Sequence, residues 1–543
     1  MKQEISQIVR DYCDFDVPVE LTRPDAQFGD YATNVALQLA GRLKQSPHQI
    51  ATELAAKFED LPGVDEVLVA GPGFINLRLS NQALLADLTK GSEPSRQDKV
   101  VVIETNNPNP FKAMHIGHGY NAILADTMAN LYAKSGATVH RVSYHGDVGL
   151  HVGKSMWAIL KDTGGDIEVL KRLDPSERNR YMSKMYAGGS RAYKEDESAK
   201  SEIDALARQS FTLDDPQYAA IYRLCADWSY QAIDEVVDQL GNVPIERRYV
   251  ESETEAPGKE LIIANTPGVF KLSDGAYVFE GSKYGSFDNV YIGSNGNGLY
   301  GAHDIGLIKL KYSDFPNLDE SVVVTGNEQG AYFKGVIAAS ELVIPELKGK
   351  LFNYPTGLVK LSTGKMSSRD GDVIEIGWLF DRFSEAIKAR GGEPTAEIVA
   401  GALRYQFLKV KTGGDVVFDI NEAVSLTGNT GSYLQYAHAR ACSILRKVSA
   451  EPAKLTEVMP EDRTLVRKLG EYSEIVNLAT RSLEPHHICN YLFETAQEFN
   501  RYYESNVVVG SELESHRASL VKHYADVLRQ GLELLGIHAP DRM

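Results

Sequence analysis

Cysteine is scarce in this chain, and several marks of a secreted or membrane protein are missing. The four cysteines are widely separated along 543 residues: Cys13, Cys225, Cys442 and Cys489. Because no two of them form a Cys-x-x-Cys pair, the sequence indicates neither a disulfide framework nor a protein-bound structural metal. It also lacks an apolar run of the roughly 18 residues that a membrane helix needs. The N-terminal segment, MKQEISQIVRD, is unlike a signal or transit peptide, so we expect a cytoplasmic protein with no membrane partner.

Basic residues are in the minority. Lysine and arginine number 57 against 74 aspartate and glutamate residues, which gives a net charge of −17. That balance argues against bulk, non-specific binding to nucleic acid, and we expect no DNA partner. A local basic face could still bind RNA, because affinity depends on where the cations cluster. The length and the hydrophobic content of 43% predict a globular protein of several domains.

The stretch 101–120 carries the first functional signal. Its opening residues, VVI, are β-branched and predict a strand buried on both faces. The residues TNNPNP predict a turn, and apolar residues at helical spacing follow from Ile116 to Leu131. Strand, turn and helix in this order are typical of a nucleotide-binding α/β unit, because a helix N-terminus attracts phosphate.

Two histidines stand at that helix start, in His115-Ile116-Gly117-His118. One turn apart, their rings lie on one helix face, and Gly117 leaves room for a flat ligand at the backbone. Alone, the pattern is more often a pair of surface or core histidines, and a further histidine, His145, is more simply a packing residue. A second stretch, LSTGKMSSR at 361–369, is alone more often an ordinary polar loop.

Together and in this order, the two stretches resemble the HIGH and KMSKS signatures of class I aminoacyl-tRNA synthetases, which grip ATP between them. Further stretches resemble one branch of that class, the arginyl-tRNA synthetases, over nearly the whole chain. These are PNPFKAMHIGHG, YGAHDI, GSYLQYAHAR and the ending LRQGLELLGIHAPDRM, with FGDYATN and GPGFINLRL near the N-terminus.

The resemblance implies a multidomain protein of three units. Residues 1–92 would form a small α+β domain that contacts tRNA. Residues 98–376 would form an α/β, Rossmann-like catalytic core with a parallel sheet and a helical insertion, and 377–543 an all-α anticodon-binding domain. The hydrophobic patterns agree, since they predict a hairpin turn at Asp274-Gly275 and mainly helices after 377.

The resemblance also implies an activity, that of an arginine–tRNA ligase. Such an enzyme activates L-arginine with ATP to arginyl-adenylate and transfers the arginine to the 3′ end of tRNA(Arg), releasing AMP and pyrophosphate. Mg²⁺ would accompany ATP as the cofactor. We expect the partners to be these substrates and the protein to be a monomer.

The arginine-binding residues that the resemblance implies are polar residues in and around the predicted core. They are Glu104, Asn109, Asp147, Glu251, Tyr300, Asp304 and Gln329. Carboxylates suit this task, because a guanidinium is a planar fork of five donors. Each acid alone would more often be a solvated surface charge.

The residues implied for ATP come from the two signature stretches. The residues expected to bind ATP are His115, Gly117, His118, Lys365, Met366 and Ser367. The residues expected to have catalytic roles are His115, His118, Lys112, Lys365 and Arg369. These side chains would hold phosphates or neutralise their charge. At the other end of the chain, Met543 would contact the anticodon loop of the tRNA.

Three positions depart from the family pattern. Ser368 stands where the second signature has its second lysine, His303 where arginine is usual, and Tyr332 where histidine is common. The second signature therefore lacks one cation. We expect Lys112, three residues before His115, to supply it.

Other functions remain open at this point. A class I synthetase for another amino acid would share both signatures, although QYAHAR and the pocket motif argue against it. A non-catalytic RNA-binding relative is disfavoured by the intact His115, His118 and Lys365. A small coenzyme nucleotidyltransferase also uses the His-x-Gly-His pattern, but it would leave the large helical C-terminal part unexplained.

Overall fold

The computed structural model of the protein describes residues 1–362 and 374–543. Three units follow one another along the chain: a small α+β unit, a parallel sheet with helices around it, and a helical unit. Within the described ranges, no helix combines the length and the apolar character needed to cross a bilayer.

The first unit is a three-stranded antiparallel sheet, ordered β1-β3-β2, with its helices packed around one apolar core. Residues Ile5, Val9, Ile50 and Leu54 are fully buried there, as their helical spacing predicts. The elements are α1 (Lys2–Cys13), β1 (Tyr31–Thr33), α2 (Val35–Leu43), α3 (Pro47–Phe58), β2 (Val64–Ala70), β3 (Phe74–Leu79) and α4 (Asn81–Leu88).

A five-stranded sheet forms the centre of the second unit. Its strands are β4 (Val100–Asn106), β5 (Thr138–His145), β6 (Arg247–Val250), β10 (Glu320–Gly326) and β11 (Leu351–Thr356). Their spatial order is β11-β10-β4-β5-β6, and every neighbouring pair is parallel. The predicted buried strand at 101–103 is the central strand β4, although it continues three residues further, to Asn106.

A smaller antiparallel sheet of three strands follows β6 in the chain: β7 (Lys271–Ser273), β8 (Ala276–Phe279) and β9 (Asn289–Ile292). The predicted hairpin is confirmed, because β7 and β8 pair across Asp274-Gly275. The short strand β12 (Val359–Leu361) ends just before the residues that the structure does not describe.

The helices of the second unit include a polar insertion between β5 and β6, as predicted. The helices are α5 (Ile116–Lys134), α6 (Leu150–Thr163), α7 (Ile167–Lys171), α8 (Pro175–Glu195), α9 (Glu197–Thr212), α10 (Pro216–Gln239), α11 (Glu251–Ala264), α12 (Tyr300–Asp314) and α13 (Gly330–Val343). Helix α5 is buried almost all round, because it packs between the sheet and the helical third unit.

The third unit is helical apart from one short strand, β13 (Val416–Phe418), which pairs with β12. Its helices are α14 (Ile376–Ala389), α15 (Ala396–Leu408), α16 (Ile420–Ala423), α17 (Gly431–Lys447), α18 (Arg463–Gly470), α19 (Tyr472–Ser482), α20 (His486–Ser505) and α21 (Glu514–Leu534). The apolar spacing across 465–483 belongs to two helices, which break at Glu471.

Ion pairs tie the first unit to the third. Arg463 contacts the buried carboxylate of Asp30 at 2.7 Å, and Arg23 contacts Glu474 at 2.6 Å. Both arginines are largely covered by protein. The N-terminal unit therefore packs on helices α18 and α19.

One fully buried arginine, Arg404 on α15, joins the second and third units. Its five N–H donors meet five acceptors at 2.8–3.2 Å. One acceptor is the carboxylate of Asp126 on α5, which is also fully buried. The others are the carbonyl oxygens of Leu240 and Leu535, Asn242 Oδ1 and Thr127 Oγ1.

This contact predicts a large loss of stability in Arg404→Met. The substitution preserves much of the side-chain volume but leaves buried Asp126 with only Arg141, 3.4 Å away, as a cationic partner. Breaking the buried pair costs about 3–5 kcal/mol. The midpoints of urea and thermal unfolding should fall accordingly. In contrast, Arg529→Met on α21 removes only exposed pairs with Asp526 and Glu533 and should change stability by less than about 1 kcal/mol. Equal midpoints for the two variants would contradict the assigned role of Arg404.

Candidate active site

A cavity of about 520 Å³ opens at the carboxyl ends of β4, β5 and β10. In open parallel sheets this edge is where ligands bind. The cavity is lined by most of the predicted site residues that the structure describes: Glu104, Asn109, Lys112, His118, Glu251, Tyr300, Asp304 and Gln329. Its lining includes residues at the start of α5 and acidic side chains from α11 and α12.

The two signature histidines cap the start of α5 in a reciprocal manner. The backbone N–H of His118 donates to His115 Nδ1, and that of His115 donates to His118 Nδ1, both at 3.3 Å. The rings stack with their centroids 3.6 Å apart. Because each Nδ1 accepts a hydrogen bond, each neutral ring carries its proton on Nε2 and has that N–H to offer to a ligand.

Both rings are neutral at physiological pH. Burial, with a further contribution from Lys112, lowers the pKa of His115 to about 4. Burial also holds the pKa of His118 well below its usual value. Lys112 is half-buried, and its burial lowers its own pKa. An anion in this part of the cavity would meet the His118 ring and the Lys112 ammonium group, while His115 stacks on His118.

The chain returns to the histidines directly after the residues that are not described. The N–H of Ile116 donates to Ile374 O at 2.8 Å, and the N–H of Ile376 donates to Met114 O at 3.0 Å. His115 and Glu375 therefore form an antiparallel bridge. The C-terminal flank of the second signature is thus hydrogen-bonded to the first.

Carboxylates from α11 and α12 crowd the other end of the cavity. Glu251 is the first residue of α11, and Asp304 lies one turn into α12 after Tyr300, as predicted. Gly146 lies against this group, since a Cβ atom there would come within 2.7 Å of Glu251 Oε2 and 3.0 Å of Asn109 Nδ2. Any side chain at 146 would displace the carboxylate from its place.

Burial is the main reason that both carboxyl groups resist ionisation, and neighbouring carboxylates add to it. Burial, together with the charges of Asp147 and Asp304, raises the pKa of Glu251 to about 7. Burial also raises the pKa of Asp304 to about 7, although the Tyr332 hydroxyl donates to it and opposes the shift. Lys311, which also lines the cavity, offsets only part of the shift at Asp304.

Glu104 has a cationic partner that the sequence did not reveal. Lys311 Nζ lies 2.6 Å from Glu104 Oε1, and both side chains are buried. The second oxygen accepts from Asn107 Nδ2 at 2.6 Å. The lysine is seven residues beyond Asp304 on α12 and 207 residues from Glu104, so no local pattern could have paired them.

The remaining predicted residues differ in exposure. Asn109 accepts a hydrogen bond from the Gly146 N–H at 3.0 Å, which holds its amide at the cavity wall. Tyr300 is 78% exposed at the mouth, and Gln329 is exposed at the end of β10. His303, which replaces the usual arginine, is buried with Nε2 3.7 Å from Glu251 Oε1.

Three of the predicted residues, His115, Gly117 and Asp147, support the cavity without lining it. Asp147 accepts from the Ser252 N–H at 2.9 Å and from its hydroxyl at 2.7 Å, behind Glu251. Gly117 lies beneath the His115 ring, where a Cβ atom would approach the ring to 3.1 Å. His145 is a packing residue, as expected, because it is fully buried with both ring nitrogens hydrogen-bonded.

Some predictions lie elsewhere. Lys365, Met366, Ser367, Ser368 and Arg369 fall outside the described residues. Met543 is 48% exposed at the chain terminus, in the helical unit.

Sequence reasoning also missed two polar residues of β4. Thr105 and Asn106 are almost fully buried and line the cavity, and the described residues offer no hydrogen-bond partner to Thr105 Oγ1 or Asn106 Oδ1. A buried polar atom without a partner is costly, so both atoms are suited to a bound ligand. Their place directly after the apolar run was the available signal.

The raised pKa values predict a stability cost at neutral pH. Since the folded-state pKa of Glu251 lies above its ordinary value, the stability that its protonated form contributes is lost as pH rises through about 7. Glu251→Gln should therefore raise the free energy of unfolding at about pH 8 by roughly 1–3 kcal/mol, which appears as a higher thermal unfolding midpoint. At about pH 5 it should change the midpoint little. The exposed Glu168→Gln is the matched control. A pH-independent difference for Glu251→Gln would refute this account.

Family models match all three units. The catalytic domain of class I tRNA synthetases (R) matches residues 80–392, more than half of the chain. The arginyl tRNA synthetase N terminal domain matches 1–79, and the DALR anticodon binding domain matches 434–543.

Curated relatives and solved structures agree with these matches. The chain is 29% identical to an arginine–tRNA ligase of Porphyromonas gingivalis and 28% identical to one of Bacteroides fragilis, over 97% of this chain and 96% of each relative. Its fold is similar to the arginyl-tRNA synthetase of Thermus thermophilus, with a TM-score of 0.83 at 24% identity over 100% of this chain and 99% of that one. The Plasmodium falciparum structure gives 0.79 at 18% identity, over 100% and 98%.

The fold class and the activity that the sequence predicted are thereby confirmed. The chain belongs to the class I arginyl-tRNA synthetases, the enzymes that charge tRNA with arginine.

Proposed function

We propose that the cavity at the sheet edge binds arginine at its acidic end and ATP at the start of α5. The observation that carries this proposal is that groups suited to both substrates line one cavity. Glu251 and Asp304 can accept hydrogen bonds from a guanidinium, and Lys112 and His118 can bind phosphate oxygens. The reacting groups of the two substrates, the arginine carboxylate and the α-phosphate, would then meet between them.

At the acidic end, Glu251 and Asp304 bind the guanidinium. Their raised pKa values support this assignment, because a bound cation would relieve the repulsion that keeps the carboxyl groups from ionising. Asp147 acts on Glu251 from behind, through its hydrogen bonds to Ser252. Tyr300 and Gln329, at the rim, close over the bound amino acid.

Glu104 and Asn109 hold the α-amino and carboxylate groups of arginine. Glu104 can accept a further hydrogen bond beside those from Lys311 and Asn107, because a carboxylate offers about four lone-pair positions. Lys311 offsets part of the negative charge of Glu104 and Asp304 in the cavity. It positions Glu104 rather than contacting the substrate itself.

At the start of α5, the Nε2–H groups of His115 and His118 donate to ATP, and Gly117 lets the nucleotide approach the backbone. Lys112 neutralises phosphate charge. For Lys365, Met366, Ser367 and Arg369 the proposal rests on their place in the second signature. The hydrogen bonds between 374–376 and 114–116 support it, because they bring that flank to the histidines.

The reaction has two steps. An oxygen of the arginine carboxylate attacks the α-phosphorus of ATP, and the bond to the bridging oxygen breaks, so pyrophosphate leaves and arginyl-adenylate forms. The terminal ribose hydroxyl of tRNA then attacks the arginyl carbonyl, loses its proton and releases AMP. Mg²⁺ would enter with ATP, since neither cluster of metal-ligating side chains found among the described residues lies at the cavity. Positioning and charge neutralisation are what phosphoryl transfer needs from the protein.

The three units divide the contacts with tRNA. Residues 1–92 contact the body of the tRNA, 98–376 hold the acceptor end and the small substrates, and 377–543 bind the anticodon region, with Met543 at the contact. We also propose that the chain acts as a monomer in the cytoplasm, where a reducing environment suits its four free cysteines.

Arginine binding should depend on pH near neutrality. Both carboxyl groups must be ionised to bind the guanidinium, so below about pH 7 each must first release a proton. In charging assays, KM for arginine should rise by about thirtyfold between pH 7 and pH 6, because two protons must be released. His115, with a pKa of about 4, does not titrate in this range.

Two substitutions test this assignment. Asp304→Ala should lower kcat/KM for arginine, because it leaves guanidinium donors unpaired. The expected fall corresponds to a loss of about 2–5 kcal/mol of transition-state stabilisation. Tyr332→Phe removes the hydrogen bond that favours ionised Asp304, so the inflection of the KM profile should move to higher pH. KM for ATP serves as the internal control. An Asp304→Ala enzyme with unchanged arginine kinetics would exclude Asp304 from the site.

Lys112→Ala should lower the charging rate about a hundredfold or more while leaving KM for arginine nearly unchanged. One unit charge about 4 Å from a phosphate is worth roughly 4 kcal/mol at an effective dielectric constant near 20, and pyrophosphate gains charge in the transition state. Lys112→Arg should retain part of the rate. Lys154→Ala is the control, because that lysine lies nearby on α6 but does not line the cavity. If Lys112→Ala charged tRNA at the wild-type rate, the proposed role of Lys112 would be wrong, and Arg369 would be the candidate for the substitute cation.

A further inference from the structure

Far from the cavity, the C-terminal tail crosses helix α17. His438 and Cys442 lie one turn apart on that helix, and Asp541 approaches them from the tail. The tail is held by backbone contacts: Gln435 Nε2 donates to His538 O at 2.9 Å, and Arg446 Nη1 donates to Asp541 O at 3.0 Å. Because Arg446 uses the carbonyl oxygen of Asp541, it leaves the carboxylate to face the other two side chains.

The imidazole of His438 is oriented as a ligand. It is 2% exposed, and its Nδ1 lies 3.0 Å from Pro540 O, a contact in which the ring nitrogen must carry the proton. The lone pair of Nε2 is therefore free, and Cys442 Sγ lies beside the ring, 3.7 Å from Nε2 and 3.9 Å from Nδ1. Histidines that bind metals commonly hydrogen-bond a backbone carbonyl with the other ring nitrogen in this way.

The separations among the three side chains match those of a tetrahedral metal site. Cys442 Sγ lies 3.7 Å from His438 Nε2 and 3.6 Å from Asp541 Oδ1. Zinc bonds of about 2.3 Å to sulfur and about 2.0 Å to nitrogen or oxygen place tetrahedral ligands about 3.5 Å apart. All three ligand atoms lie within 4.8 Å of one another, and the Cys442 and Asp541 side chains would have to rotate towards the Nε2 lone pair to share one ion.

We propose that His438 Nε2, Cys442 Sγ and an Asp541 carboxylate oxygen form a site for a divalent transition-metal ion of the zinc type, with solvent in the fourth position. Sulfur and nitrogen ligands favour such an ion over Mg²⁺ or Ca²⁺. Cys442 would bind as a thiolate after giving its proton to solvent. One thiolate and one carboxylate then balance the charge of the ion.

A bound ion would fasten the chain terminus to α17. The tail segment 538–543 would gain a cross-link two residues before Met543, the residue proposed to contact tRNA. This consequence rests on the proposed function of the tail, but the metal site itself does not.

Cobalt titration of the full-length protein tests the site directly. One equivalent of Co²⁺ should produce a thiolate-to-cobalt charge-transfer band and the visible bands of tetrahedral cobalt, and Zn²⁺ should displace it. Cys442→Ser should abolish the charge-transfer band and weaken Zn²⁺ binding about a hundredfold or more. Asp541→Asn should weaken binding about tenfold, leaving a band.

Two controls separate this site from others. Cys13→Ser removes a buried cysteine of the N-terminal unit and should leave the cobalt spectrum unchanged. The other cluster of metal-ligating residues, Glu484, His486 and His487, contains no sulfur, so a His486→Gln/His487→Gln variant should also retain the band. Absence of a charge-transfer band, or a band that persists in Cys442→Ser, would overturn the proposal.

A second measurement detects the cross-link between the tail and α17 without an assay of enzyme activity. Release of Met543 by a serine carboxypeptidase should slow about tenfold when Zn²⁺ is added to the wild type, and not in Cys442→Ser. Unchanged release in both proteins would show that no ion fastens the tail. Measuring KM for tRNA with and without Zn²⁺ then tests the tRNA contact separately, because the metal site can exist whether or not the tail touches RNA.

Discussion

The hydrogen bonds of the Arg404 guanidinium join the catalytic core to the helical unit. An arginine has five N–H donors, and all five are satisfied here by acceptors from α5, from the segment after α10 and from the end of α21. Such a group is costly to bury unless every donor is paired. Since α5 begins at the signature histidines, the same contact also fixes the helix that presents them.

The cavity shows how binding specificity trades against stability. Glu251 and Asp304 are held close together at a covered site, so at neutral pH the empty cavity carries the cost of ionising them. A guanidinium repays that cost because it brings charge and several donors at once. Lys311 shows the opposite solution a few ångströms away, where Glu104 has a permanent partner and the carboxylate is ready whether or not a substrate is present.

Much of this arrangement could be predicted from the sequence where short-range rules apply. The central strand, the hairpin at Asp274-Gly275 and the helix after His115 follow from residue type and spacing. Contacts between distant segments could not be predicted this way. Lys311 meets Glu104 across 207 residues, and Asp541 meets Cys442 across 99. Asp147 was expected in contact with the substrate, but its backbone position and Ser252 direct it behind Glu251, a detail that depends on how two elements pack.

The reciprocal capping of His115 and His118 limits which side chains could ever replace them. Each ring accepts a hydrogen bond from the backbone at Nδ1 and keeps an N–H donor at Nε2. Lysine and arginine have no acceptor, and an ionised aspartate or glutamate has no donor. Apart from histidine, only the side-chain amides of asparagine and glutamine carry both functions on opposite sides of a flat group. The substitutions tolerated at this helix start are therefore limited by the need for both an acceptor and a donor, as well as by side-chain shape.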